Sequence, residues 1–130
     1  MAFEIKNTGL QLEIGSASFT VHPDNADYTE KIERYRTEAQ AKYAEFNKST
    51  ESLSVKVRAV CDFCIQSIDN LLGEGACKEI FGDSTVGMLE LIGVLDYINK
   101  ETNRFFAESA KKVQAMNGNR EQRRKAQKKK

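Results

Sequence analysis

Two cysteines separated by two residues, Cys61 and Cys64, are the residues most suggestive of chemistry in this chain. The C-x-x-C spacing serves redox exchange or zinc binding in other settings, because it brings two thiolates to one centre. Here it sits inside an apolar helical stripe, no βαβ unit surrounds it, and only Cys77 and His22 could complete a set of four ligands. Core packing is therefore the expected role, since free cysteine behaves as a small buried hydrophobe. His22 is the single histidine, and any Ser-His-Asp or Cys-His arrangement would have to be built on it. It stands at a strand end beside Pro23 with no neighbouring nucleophile, so a surface position is expected. Gly73, Gly75 and Gly82 imitate a phosphate loop, but Lys78 occupies the place of the third glycine in G-x-G-x-x-G and no strand precedes it. Neither catalytic residues nor a cofactor or metal site is expected.

The remaining chemical signal is charge. Residues 119–130 hold seven bases and one acid, +6, while the rest of the chain holds 13 bases and 18 acids, −5. An acidic body with a basic tail hides behind a net charge of +1. Such a tail suits phosphate contact with nucleic acid, attachment to an acidic protein, or simple solubility as an unpacked end. With only Ala126 as an apolar residue in REQRRKAQKKK, residues 118–130 are expected to lack structure.

These residues need elements to position them. The central one is the helix expected over 52–72, where Leu53, Val57, Val60, Cys64, Ile68 and Leu71 recur every three or four residues, widened by Val55, Phe63, Ile65 and Leu72. A stripe covering more than half the circumference asks for neighbours on two sides. Gly73 to Gly75 ends it. Before it, residues 3–22 alternate apolar and polar side chains: Phe3 and Ile5, then Leu10, Leu12 and Ile14, then Ala17, Phe19 and Val21. Turn residues between these runs predict an antiparallel meander of two or three strands. Pro23 stops it, and Asp24 or Asp27 is expected to cap a helix over about 25–47.

That helix has Tyr28, Ile32, Tyr35, Ala39, Tyr43 and Phe46 on one face, with acid–base pairs Asp27 and Lys31, Glu30 and Arg34, Glu38 and Lys42 on the other. A short helix is expected over 76–81. A long one follows over about 85–116 through Leu89, Ile92, Leu95, Ile98, Thr102, Phe105, Ser109 and Val113. The fold class expected is therefore mainly α with a small N-terminal β-meander, α+β, as a bundle of three main helices and one short one. Residues 1–117 form its single compact domain.

From Asn99 onward the last helix thins to Phe105, Phe106, Val113 and Met116 among charged residues. Those four, with Arg120, Arg123 and Arg124, are the candidate partner-binding residues: an apolar strip for another helix or a sister subunit, and cations for an acidic segment. The alternative is that Phe105 and Phe106 close the core. No apolar run approaches the roughly 20 residues of a membrane span. The start MAFEIKNTGLQLEIG lacks the order of a signal peptide, so a cytoplasmic chain is expected.

In order, FEIKN with LQLEI, DNADYTEKIERY, RAVCDFCIQSIDNLLGEGACKEIFG from Arg58 to Gly82, and the ending NREQRRKAQKKK resemble the small tail assembly chaperones of long-tailed phages and prophages of Gram-positive bacteria. The LLGEG and KEIFG segment is the most specific part. The resemblance implies a non-enzymatic protein of the bacterial host cytoplasm. It would bind the tape measure protein, with the major tail protein as a further possible partner, and keep it soluble until the tail tube polymerises. Such proteins are absent from the mature virion. A sister subunit and nucleic acid stay open as partners, the second through the basic tail.

Overall fold

The computed structural model describes the backbone of residues 9–128 and the side chains of residues 9–115. Phe3 and Ile5, which the meander would have used first, lie outside the described residues, as do the side chains of Met116, Arg120, Arg123 and Arg124. Over the described residues the fold is a β-hairpin followed by four helices, the α+β helical arrangement that the pattern predicts.

Strands β1 (Leu10–Ile14) and β2 (Ala17–Val21) pair antiparallel, with Leu12 opposite Phe19 and Ile14 opposite Ala17. Their alternation sends Leu12, Ile14, Ala17 and Val21 inward and leaves Gln11, Glu13, Ser18 and Thr20 in water. A lone hairpin is marginal, so this apolar face needs helices beneath it. β1 packs on the last helix and β2 on the central one.

Helix α1 (Ala26–Lys48) begins at Asn25, not at either aspartate. Asn25 is extended, and the Asp27 N–H donates to its Oδ1 at 2.9 Å, satisfying an amide that no helical carbonyl reaches. Asp27 itself lies in the first turn, where its charge favours the helix dipole. The expected inner face holds: Tyr28, Ile32 and Ala39 are buried, and Tyr35, Tyr43 and Phe46 pack against the core. None of the three expected ion pairs forms among the described residues, and Lys42 sits 3.9 Å from Glu45 instead of pairing with Glu38. At that distance and exposure the pair contributes little.

Helix α2 (Leu53–Leu72) runs back along α1, as Tyr35 stacked on Phe63 and Lys56 over the Phe46 ring together show. Val60, Phe63, Cys64, Ser67, Ile68 and Leu71 are buried. Leu53 and Val55 are not, at 68% and 49% exposed. Phe46 is the last apolar residue of α1, so α1 offers no apolar side chain beyond it to the first turn of α2. Ile65, expected to widen the stripe, is also exposed. Gly73 and Gly75 then turn the chain with φ of 117° and 82°, a region that side chains with a Cβ rarely occupy.

Helix α3 (Ala76–Phe81) is tied back to α2 by the Cys77 N–H, which donates to Asp69 Oδ1 at 2.9 Å. Helix α4 (Met88–Lys128) packs against α2 and runs against α1, with Tyr28 at Thr102 and Tyr43 near Asp96. Its start is later than Thr85, and its buried seam is Leu91, Leu95, Ile98 and Thr102. Leu89, expected in that seam, is 78% exposed. The expected steps from Leu89 to Ile92, Leu95 and Ile98 are all of three residues, and each turns about 60° short of a full circle. Three such steps put Leu89 opposite Ile98.

Thr102 is wholly buried, and its hydroxyl is matched by the Tyr28 hydroxyl at 2.9 Å. Replacing Thr102 with valine leaves the buried phenol without its partner and is expected to cost about 1–3 kcal/mol. A urea melt checks this, and the Tyr28→Phe/Thr102→Val double variant recovers part of the loss.

The expected end of α4 near Met116 is absent, and so is a structureless tail over 118–128. Helix continues through Asn117–Asn119 to Lys128. A glycine inside a helix costs only about 1 kcal/mol, and Arg, Glu, Gln, Lys and Ala around it favour helix strongly. With no proline to break the ladder, polarity alone does not end a helix.

Candidate functional site

Helix α4 has two halves with different surroundings. From Leu91 to Thr102 its seam lies inside the body. Arg36 of α1 marks the outer edge, donating through Nε to Asn99 Oδ1 at 2.7 Å and through Nη2 to Asn103 Oδ1. Surface pairs then line the helix itself, Lys100 with Asp96 at 2.9 Å and Arg104 with Glu108 at 3.6 Å. Ser109 is the last described side chain with partial cover, and residues 110–115 are all exposed.

The candidate residues sit at this transition. Phe105 and Phe106 are half-buried and meet edge to face, with centroids 6.3 Å apart and planes at 83°. Neither joins the contiguous core that takes in Tyr35, Tyr43, Phe46 and Tyr97. Val113 is 57% exposed. Seven residues separate Phe106 from Val113, which places both on one side of the helix. The stripe of Leu91, Leu95, Ile98 and Thr102 therefore continues past the core cluster of the described residues. Met116, Arg120, Arg123 and Arg124 follow on the same helix, with side chains outside the described residues.

The other residues considered for chemistry are placed apart from this strip. Cys64 and Cys77 are buried and Cys61 is partly exposed, all as free thiols. Burial pushes the Cys64 thiol up to about 11, helped by neighbouring Cys61 and Cys77. Burial, then Asp69, raises Cys77. A thiol held protonated is a poor nucleophile and a poor metal ligand. Among the described residues no group of three or more His, Cys, Asp or Glu is placed to hold a metal ion. His22 is exposed at the end of β2, and Gly73, Gly75 and Gly82 turn the chain around α3.

The raised thiols have a consequence for stability. Below an ordinary cysteine value of 9.0 both folded and unfolded chains keep the Cys64 proton. As pH rises toward about 11, the unfolded chain loses a proton that the folded chain retains. Stability is therefore full below pH 9 and falls above it, by at most about 1.4 kcal/mol per pH unit for this group. Tyr28, Tyr35 and Tyr43, all raised chiefly by burial, act in the same direction from about pH 10. Urea melts across this range check it, with flat stability to about pH 9 and a steady fall beyond.

Two features were not anticipated from the sequence. Leu53, Val55 and Leu89 expose apolar surface at the starts of α2 and α4. A shallow cavity of about 490 Å³ opens where α1 meets α2, beside Phe46, Lys56 and Val60. Phe46, the last apolar residue before a polar turn, was the available signal for it.

A model of a family of unknown function, DUF6673, matches residues 15–127. The chain belongs to that family. No curated protein and no solved structure matches it. The DUF6673 match runs from the hairpin turn nearly to the end of α4. The match thus includes the residues of its projecting half.

Proposed function

We propose that this DUF6673 protein is a tail assembly chaperone of the long-tailed phage type, a non-enzymatic protein that covers an apolar helical partner. The observation that carries the reading is the apolar stripe of α4, buried from Leu91 to Thr102 and continued by Phe105, Phe106 and Val113 beyond the body. In proteins most helical stability comes from packing an apolar face and not from propensity. A second helix laid along this stripe supplies that packing and hides its own apolar side chains in return. The tape measure protein, a very long apolar helical chain, is the partner this chemistry suits, with the major tail protein as a further one. The protein acts in the bacterial cytoplasm before the tube closes and does not stay in the virion.

Co-expression tests the reading. With the tape measure protein of the same phage genome, the chain is expected to shift that protein from the insoluble to the soluble fraction and to co-purify with it. A tape measure protein equally insoluble with and without this chain would overturn the proposal.

A further inference from the structure

We infer that the distal half of α4 docks on the acidic body of a second copy of this chain. The inference rests on charge and helix geometry and is independent of the chaperone reading. Residues 1–108 carry 11 bases against 18 acids, −7, and residues 109–130 carry nine bases against one acid, +8. Two nearly equal and opposite charges thus occupy separate parts of one molecule. The unbroken helix keeps them apart, because α4 continues to Lys128 and its last 20 residues span roughly 30 Å. Folding the basic end back onto its own body would require breaking that helix. At about 0.1 M salt the Debye length is about 10 Å, so attraction across such a distance is screened.

A second copy supplies the complement in equal amount. The docking surface on it is a shallow depression on the outward face of α1, lined by the exposed Glu30, Glu33 and Glu38 with Arg34 and Thr37, three acids to one base on a helix whose charges balance overall. None of the three glutamates is in an ion pair among the described residues. The docking segment also carries Val113, 57% exposed, which a neighbouring body would cover together with the charges. Basic end and acidic face are unlike surfaces, so each copy gives one and receives one.

Sedimentation of the purified, nuclease-treated full chain tests this with no tape measure protein present, so its outcome is separate from that of the co-expression. Association is expected at about 0.1 M salt and loss of it at about 1 M, where the Debye length is about 3 Å. The triple variant Glu30→Lys/Glu33→Lys/Glu38→Lys should weaken self-association at least tenfold, as should Arg120→Glu/Arg123→Glu/Arg124→Glu. Mixing the two variants should restore a complex, since the swapped charges again match. All six positions are exposed or lie beyond the body, and circular dichroism reports retained helix. The corresponding glutamine variants give the same loss with no new charge. A monomer at low salt, or association that both triple variants leave unchanged, would overturn the inference. Association that vanishes on nuclease treatment would overturn it in favour of nucleic acid as the partner of the basic end.

Discussion

Replacing Ile68 with alanine is expected to lower the unfolding free energy by about 2–5 kcal/mol. Ile68 is fully buried in α2, the helix against which α1, α3 and α4 and strand β2 all pack. Truncating it removes apolar area from water and leaves a cavity that four neighbouring elements would have to collapse to fill. Domains of this size are stable by only about 5–15 kcal/mol, so the loss is a large share of the whole. In a thermal melt it should appear as a drop of roughly 10 °C or more. Leu53→Ala on the same helix is the control. At 68% exposed its truncation should stay within about 0.5 kcal/mol. Equal effects at the two positions would mean that α2 is not the centre of the core.

The Phe105→Ser/Phe106→Ser variant is expected to keep its fold and lose its partner. The two rings are half-buried and touch each other, outside the core cluster, so the body should lose about 1–2 kcal/mol at most from the ring pair and its partial burial. Aromatic anchors at the centre of an interface are worth far more to binding, about 2 kcal/mol or above each, so affinity for an apolar partner helix should fall at least a hundredfold. A pull-down of the tape measure protein read beside a thermal melt separates the two effects. Collapse of the fold would return both residues to the core, and unchanged capture would remove them from the interface.

Much of the architecture is legible in the residues. Period-two alternation from Leu10 to Val21 gives the hairpin and its buried face, and the three-and-four spacing from Tyr28 to Phe46 gives the inner side of α1. Gly73 and Gly75 mark the end of α2, because a positive φ there is a local requirement that sequence displays directly. The misreadings concern what lies opposite a residue. Leu53 and Leu89 have the right type and nearly the right spacing, yet burial depends on a neighbour whose position spacing does not encode. The length of α4 is not legible for a related reason: its polar end suggests an absence of structure, while helix propensity through residues 119–128 is high. The cap shows the same limit at atomic scale, since Asp24, Asn25 and Asp27 are all capable and only the backbone turn after Pro23 selects Asn25. By helical spacing Phe105 and Phe106 suit either core or interface. The structure places them at the rim, half covered and outside the core cluster, with the stripe running on to Val113.

Hydrogen exchange along α4, with and without the tape measure protein, tests the covering of another chain's helix most directly. At about 1 M salt, where copies of the chain are apart, the account predicts slow exchange from Leu91 to Thr102 in both states, and fast exchange beyond Ser109 that slows at least tenfold when the partner is bound. Unchanged exchange beyond Ser109, with new protection appearing only at the α1–α2 cavity or over the hairpin, would contradict it.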